Sequence, residues 1–473
     1  MGKSEKHTIV EGVDFSQVLA FPKILRAITM SFAPGRLALG LLMVVAILTA
    51  GRIWDGVTTP TVHPDGLMRG KWTEVDQARA QPILRIALQR YVDKDNLPQG
   101  DPAEWDLKAS DVLIQVRDGY EAKRAAVEGD EIPASLAEEH FLSTIQIIQT
   151  YQPLGVFEAT AEHVSSGFAE TMYAIVLLEP STLMLEASEL FLSTPSTLWS
   201  DYKLFTIVFA IILVLVLGIG GGTLSRLCAC EIATNQRIRL NDGVDFAISS
   251  WRPLIVSLVL PLLIAVILYL VLMAGGWLLT LPFLDVLGGL LYPIALLLGF
   301  GITFLLIGYA FGFSLLVPAV ACEKCDAADA QQRAYHYFLT KPLHLIGYGF
   351  VALIGLAVGF IIVSNVGEML LNITSAAVGT WSNNPAFAAS QSASEAIALS
   401  WHSEFASSMV SFWSAIVGYL VAGYVFANFY SASTIVYMLM RRACDKQELT
   451  EVWQQGHIPS SAVSDPLERD EVI

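Results

Sequence analysis

The sequence predicts an all-α polytopic membrane protein with six transmembrane helices, a helical extracytoplasmic domain between the first two, and a parallel internal repeat. The chain of 473 residues is 54% hydrophobic and only 15% charged, whereas about a quarter of the residues are charged in a typical soluble domain. Six long apolar stretches interrupt the chain, and the segments between the later ones alternate between containing and lacking Lys or Arg. This alternation indicates repeated passage across a membrane.

The alternation of positive charge also predicts the orientation. The inter-span segments 226–252 and 319–341 contain basic residues, whereas 276–290 and 365–407 contain none. Because cytoplasmic loops retain Lys and Arg, we expect both termini on the cytoplasmic side. The residues that mark this side are Arg226, Arg237, Arg239, Arg252, Lys324, Arg333, Lys341, Arg441, Arg442 and Lys446.

Residues 1–36 are predicted to be a cytoplasmic lead that contains an amphipathic helix at the membrane interface. Apolar residues between 15 and 33 recur at roughly helical spacing, and Lys23 and Arg26 lie off the apolar face. An ordinary polar lead helix is the alternative. The first span follows at 37–54, and we interpret it as an uncleaved anchor because no small-residue cleavage site follows it cleanly.

Residues 55–202 form the one sizeable polar region and are predicted to be an acidic, helical, extracytoplasmic domain. They hold 24 acidic and 10 basic residues, which disfavours a nucleic-acid partner. An Asp-Pro-Ala-Glu sequence at 101–104 is typical of a helix start. The apolar stretch 172–192 is expected to lie on the membrane or to pack on the helical bundle. Helical spacing predicts further helices at about 73–92, 134–150 and 156–178.

The rest of the chain is predicted to hold five more spans and a polar tail. Residues 203–364 contain the second to fifth spans and two cytoplasmic amphipathic helices. An extracytoplasmic loop is expected at 365–407, the sixth span at 408–440, and a cytoplasmic tail at 441–473. The predicted limits of the second to fifth spans are about 204–223, 254–274, 291–317 and 343–363.

A short motif occurs twice and predicts a parallel repeat with units at about 204–274 and 291–363. Ala229-Cys230-Glu231 follows the second span, and Ala321-Cys322-Glu323 follows the fourth. In each unit the next outbound span opens with a basic residue, proline and leucine. Proline suits the first turn of a helix, and the basic residue suits the headgroup region. Ala443-Cys444-Asp445 after the sixth span is a faint third copy.

These features resemble a group of uncharacterised multi-span membrane proteins of planctomycete-type bacteria. The resemblance covers the membrane part and not residues 55–202. It implies the topology given above and a location in the bacterial inner membrane, and it brings no activity with it. The matching residues are Phe21–Ala27, the repeated Ala-Cys-Glu unit with Tyr335-His336-Tyr337, and the end Ser431–Met440, Arg441-Arg442, Asp445, Glu448 and Glu451-Val452.

The cysteines are the sharpest local candidates for chemistry. Cys322 and Cys325 form a C-x-x-C pair, and Cys228 and Cys230 lie on the equivalent segment of the other repeat. A four-cysteine zinc site is one hypothesis, and Cys322 and Cys325 with His336 and His344 is another. Ordinary reduced thiols fit better, because the spacing of structural zinc sites is absent. We therefore expect no metal and no cofactor.

Three glycine pairs with four-residue spacing are predicted to let helices approach closely within the bundle. A dimer interface is the alternative role for these pairs. The glycines are Gly218 and Gly222, Gly308 and Gly312, and Gly355 and Gly359.

The function that these patterns favour is a non-catalytic integral membrane scaffold or an accessory subunit of a larger membrane complex. No charged residue is expected in the core of a span, no catalytic or nucleotide-binding motif occurs, and a helical domain is available for docking. We therefore expect no enzymatic activity. The expected partners are membrane lipid and proteins bound through residues 55–202 or the bundle. The alternative is a transporter or permease-like protein for a lipid or a neutral solute.

Overall fold

Helices make up most of the part of the chain that the structure describes. This computed structural model describes residues 22–102, 105–126, 134–278, 284–381, 387 and 401–453. Within them, extended pairing is limited to isolated bridges from Val62 to Lys71 and to Leu154. The predicted all-α class is therefore confirmed.

The α-helices, in chain order, are α1 (Pro22–Ser31), α2 (Pro34–Val57), α3 (Glu74–Tyr91), α4 (Ala109–Ala126), α5 (Ala134–Gln149), α6 (Val156–Leu177), α7 (Pro180–Ser188), α8 (Thr194–Asp201), α9 (Lys203–Thr234), α10 (Leu240–Ser249), α11 (Trp251–Leu278), α12 (Leu284–Glu323), α13 (Ala327–Thr340), α14 (Pro342–Trp381) and α15 (Trp401–Asp445). A π-helical turn, Glu189–Ser193, joins α7 to α8.

Six of these helices are long and apolar enough to cross a bilayer: α2, α9, α11, α12, α14 and α15. A spanning helix needs about 20 apolar residues, and each of the six has at least 24 residues in total. The chain is thus a multi-pass membrane protein, as the composition predicted.

Several helices extend well past the predicted limits of their spans. Helices α12 and α14 have 40 residues each and α15 has 45, so α15 is about 67 Å long at 1.5 Å per residue. Residues 365–381, predicted to belong to the extracytoplasmic loop at 365–407, are helical, because α14 continues to Trp381. Val366, Met369, Leu370 and Ile373 keep helical spacing there, whereas the prediction ended the helix where the hydrophobicity dropped.

Three of the helices expected in the 55–202 domain occur as α3, α5 and α6. The start predicted at 101–104 is wrong, since α4 begins at Ala109. Before α4, Trp105 and Leu107 are buried in the core that α3, α4 and α5 share. In addition, the side-chain amide oxygen of Gln81 accepts a 3.0 Å hydrogen bond from the backbone N–H of Leu107. Residues 103–104 lie outside the described residues.

The described residues divide into two compact units, each with its own apolar core. The first unit lies within 1–44, 212–360 and 422–473, and the second lies within 45–211 and 361–421. The core of the first unit contains Tyr337, Tyr437 and both Cys228 and Cys322. The second unit has two cores, one among α3, α4 and α5 and one around Phe157 and Phe205.

Helix α13, one of the two helices predicted to be cytoplasmic and amphipathic, lies along the middle of α12. The Tyr335 hydroxyl donates a 2.6 Å hydrogen bond to the Leu305 carbonyl, which is 18 residues before the end of α12. Ala330, Ala334 and Tyr337 form the buried face of α13. This helix is therefore an integral part of the first unit's core.

Candidate functional site

The glutamate of the first Ala-Cys-Glu motif forms a buried ion pair. The Arg36 guanidinium lies 2.8 Å from the Glu231 carboxylate, and the two side chains are 3% and 10% exposed. Arg36 also donates a 2.8 Å hydrogen bond to the Met30 carbonyl, which ties the end of α1 to the same pair. On the exposed side, Arg237 approaches Glu231 to 3.4 Å. The motif therefore joins α9 to the α1–α2 connection.

The glutamate of the second motif has an equivalent environment made by different helices. The Glu323 carboxylate lies 2.7 Å from Arg333 of α13 and 3.6 Å from Arg441 of α15. The Tyr437 hydroxyl also donates a hydrogen bond to Glu323. Arg441 is only 2% exposed, so this charge depends on its partners for solvation.

The acid of the third, faint copy is hydrogen-bonded as well. The Tyr337 hydroxyl of α13 donates a 2.5 Å bond to Asp445 at the end of α15. Burial raises the pKa of Tyr337, and the hydrogen bond to Asp445 raises it further, so the phenol stays protonated as the donor. All three acids therefore act in helix-to-helix contacts. The sequence pattern identified the motif, but it gave no sign of the arginine and tyrosine partners.

A segment after α15, residues 446–453, folds back onto the ends of α9 and α12, and we call it the C-terminal strap. The backbone N–H of Trp453 donates a 2.9 Å hydrogen bond to the Cys322 carbonyl. The Arg226 guanidinium donates to the carbonyls of Trp453, at 2.7 Å, and Ala321, at 3.1 Å. Arg441 donates to the carbonyl of Glu448, at 3.1 Å, and to that of Glu451. Buried arginines therefore hold the strap through its backbone.

A cavity of about 730 Å³ lies beside the strap. Its walls come from the last turns of α9, from α10 and from the residue that follows α12. The charged and aromatic side chains of the lining are Arg226, Arg237, Lys324, Asp242, Asp245, Phe246 and Trp453. Both signs of charge and two aromatic rings therefore face one opening at the ends of two spanning helices.

The cysteines are all free thiols. Cys228 and Cys322 are fully buried in one core, and the Cys228 thiol faces the Ser431 carbonyl at 3.5 Å. Burial raises the pKa of Cys325 to about 12, with a further contribution from Glu323, so this thiol is protonated at neutral pH. In the described part of the chain, no group of three or more His, Cys, Asp or Glu side chains is placed to hold a metal ion.

The six glycines predicted to mediate packing each lie against another helix. A side chain at Gly222 would meet Leu254 of α11, and one at Gly308 would meet the Tyr335 ring of α13. The other contacts pair Gly218 with Ile255, Gly312 with Ala334, Gly355 with Leu25 and Ile28, and Gly359 with Tyr424.

The 55–202 domain carries a second candidate site, a set of exposed apolar side chains at the end of α6, on α7 and on the turn after α7. We call it the apolar surface, and it comprises Leu177, Leu178, Met184, Leu185, Phe191 and Leu192, which are 56–79% exposed. The α7–α8 segment runs back along α6, with Leu190 against Gly167 and Thr194 Oγ1 at 3.0 Å from His163 Nε2. Desolvation and the nearby Glu170 raise the pKa of Glu186 on the same segment.

Comparison with known proteins finds no relative: no family model, curated protein or solved structure matches this chain.

Proposed function

We propose that this protein is a non-catalytic scaffold or accessory subunit of a larger complex in the bacterial inner membrane, with both termini in the cytoplasm. In this proposal the apolar surface of the 55–202 domain docks a protein partner. The observation that carries the proposal is the exposure of six large apolar side chains there, led by Leu178, Phe191 and Met184 at 79%, 76% and 75%. Six large exposed apolar side chains within residues 177–192 are more than isolated surface apolar residues, and such groupings mark interaction surfaces.

The acidic residues near the apolar surface indicate which kind of partner would bind it. Residues 125–202 contain 12 acidic residues and no Lys or Arg, and Glu179, Glu186 and Glu189 lie on the same segment as the apolar surface. A partner whose apolar patch is rimmed by Lys or Arg would gain from burial of the patch and from complementary charge at the rim. The acidic rim also disfavours an anionic lipid surface. We therefore favour a protein partner over the membrane.

The ion-pair network supports a structural role for the membrane part. Glu231, Glu323 and Asp445 each bind a side chain from another helix, so these acids hold helices together. A proton-coupled transporter places its acids along a pathway instead. We assign the three acids to the assembly of a rigid anchor for the docking domain.

A site-specific photo-crosslinker at Phe191 tests the proposal in native membranes. We expect one protein to crosslink in stoichiometric yield and to co-purify with the wild-type chain. A variant with Leu178, Met184, Phe191 and Leu192 replaced by Ser should lose this protein. The matched control replaces Val75, Ile86 and Ile114, which are 57–66% exposed on the same domain, and should retain it. Crosslinks to lipid alone, or equal loss in both variants, would contradict the proposal.

A further inference from the structure

The cavity beside the C-terminal strap lies just past the predicted ends of two spans. Helices α9 and α12 are long and apolar enough to span a bilayer and end at Thr234 and Glu323, whereas the spans predicted within them end at about 223 and 317. Arg226 and Lys324, a few residues past those limits, line the cavity together with α10. Groups at the ends of spanning helices meet the polar headgroups of the bilayer. A ligand of this cavity can therefore be part of a membrane lipid.

The cavity offers both signs of charge in an unpaired form at Arg226, Lys324, Asp242 and Asp245, whereas the charge of its third cation, Arg237, is paired with Glu231 at 3.4 Å. The Lys324 ammonium lies 4.2 Å from the centre of the Trp453 ring, and Arg226 stacks on Phe246 with its guanidinium carbon 4.7 Å from the ring centre. Among the described residues, neither cation has a carboxylate within ion-pair distance, and neither Asp242 nor Asp245 has a cation.

Arg226 is well placed to bind an anion. Its two hydrogen bonds go to the carbonyls of Ala321 and Trp453, and a guanidinium has five donor hydrogens. The aromatic rings and the carbonyls fix the plane of the guanidinium while leaving its charge uncompensated. Lys324 adds a second positive charge at the same wall. Arg and Lys together are the usual ligands of a phosphate group.

We propose that this cavity binds the headgroup of a zwitterionic phospholipid. The phosphate would lie at Arg226 and Lys324, and the ammonium group would lie at Asp242 and Asp245. An anionic headgroup would leave the two aspartates repelling the ligand, so the pattern of charge favours a headgroup with both signs.

Apolar side chains outside the cavity favour a lipid over a soluble phosphate ester. Ile248 on α10 is 58% exposed, Trp251 at the start of α11 is 46% exposed, and Val256 one turn further on is 44% exposed. These three residues follow the cavity wall into a spanning helix, and an acyl chain lying along them would cover them. A soluble phosphate ester would gain nothing from this face.

Native mass spectrometry of the delipidated full chain, titrated with dioleoyl phosphatidylethanolamine or dioleoyl phosphatidylglycerol, tests the proposal. We expect a preference of about tenfold for phosphatidylethanolamine, as charge-assisted hydrogen bonds of this kind provide. The double variant Asp242→Asn with Asp245→Asn should lose the preference, and Lys324→Gln should weaken the binding of both lipids. These residues are exposed, so the substitutions leave the fold intact.

Two matched controls at the same end of the protein, Asp329→Asn and Lys446→Gln, change charge outside the cavity and should leave lipid binding unchanged. Glycerophosphoethanolamine has the same headgroup without acyl chains, so competition with it distinguishes a lipid ligand from a soluble phosphate ester. If glycerophosphoethanolamine bound with the same affinity as the lipid, the assignment of a lipid ligand would be overturned. Equal binding of both lipids by the wild-type chain, or wild-type behaviour of the cavity variants, would overturn the site itself.

Discussion

At the scale of single residues, Glu231 meets two arginines in different environments. Arg36 is 3% exposed and 2.8 Å away, whereas Arg237 is 65% exposed and 3.4 Å away. Removal of one partner of a buried pair leaves an uncompensated charge, which typically costs 3–5 kcal/mol. An exposed pair contributes about 0–1 kcal/mol, because water already solvates both groups. The two arginines therefore differ in what they contribute to stability.

We predict that Arg36→Met lowers the free energy of unfolding by about 3 kcal/mol, while Arg237→Gln lowers it by less than about 1 kcal/mol. Thermal or denaturant unfolding in one detergent measures both. The double variant Arg36→Met with Glu231→Gln should recover part of the loss, since it removes the orphaned charge. Equal destabilisation by the two single variants would show that the pair is solvated.

The sequence could identify the acids of this network but not their partners. Glu231 and Glu323 stood out because the Ala-Cys-Glu motif occurs twice. Arg36 is separated from Glu231 by 195 residues, and no local pattern predicts a contact at that distance. The strap was equally hidden, because Arg226 and Arg441 hold it through backbone carbonyls, which every residue carries. Whether a backbone carbonyl accepts such a hydrogen bond depends on how the ends of the helices are arranged in space, and a local sequence pattern does not predict that arrangement.

At the scale of elements, a close backbone approach in the first unit joins α2 to α15 through two glycines. A Cβ atom built on Gly40 would overlap the backbone carbonyl of Gly423, and one built on Gly423 would lie 2.7 Å from the backbone N of Leu41. Small residues permit this approach, and close backbone packing is a principal source of stability between helices in lipid. Neither glycine belongs to the four-residue pairs that the sequence marked. Spacing within one helix cannot show which glycine faces another.

We predict that Gly40→Ala lowers the free energy of unfolding by about 2 kcal/mol, since a backbone must move to admit the methyl group. The control is Gly418→Ala on α15, where the added Cβ has no neighbour within 4 Å. That change should be neutral or stabilising by up to about 1 kcal/mol through helix propensity. Unfolding in detergent compares the two variants, and tolerance of Gly40→Ala would rule out this helix contact.

Helix lengths show a different limit of sequence reasoning. Hydropathy predicted six spans, because burial in lipid requires about 20 apolar residues. It did not predict that α14 continues from residue 364 to 381, since a helix persists on backbone hydrogen bonds and on a one-sided apolar face after the hydrophobicity drops. Val366, Met369, Leu370 and Ile373 carry that face. The six elements could thus be predicted, whereas their ends could not.

At the scale of the whole molecule, the distribution of charge predicts which parts of the chain share one side of the membrane. Four of the five cysteines lie at the ends of α9, α12 and α15, and Cys325 follows α12 directly. All five fall in segments predicted to be cytoplasmic. The 55–202 domain contains no cysteine. A cysteine introduced there would therefore be the domain's only thiol, and its labelling would show on which side of the membrane the domain lies.

We predict that a cysteine replacing the exposed Gln99, in the 55–202 domain, reacts with a membrane-impermeant maleimide in intact spheroplasts. A cysteine replacing the exposed Gln332 of α13 should react only after lysis. The unmodified chain is the control. Its Cys325 and Cys444 are partly exposed, so they determine the background labelling that appears after lysis. The physical reason is the retention of Lys and Arg on the cytoplasmic side during insertion. Labelling of Gln332→Cys before lysis, with Gln99→Cys protected, would reverse the orientation and place the lipid cavity in the outer leaflet.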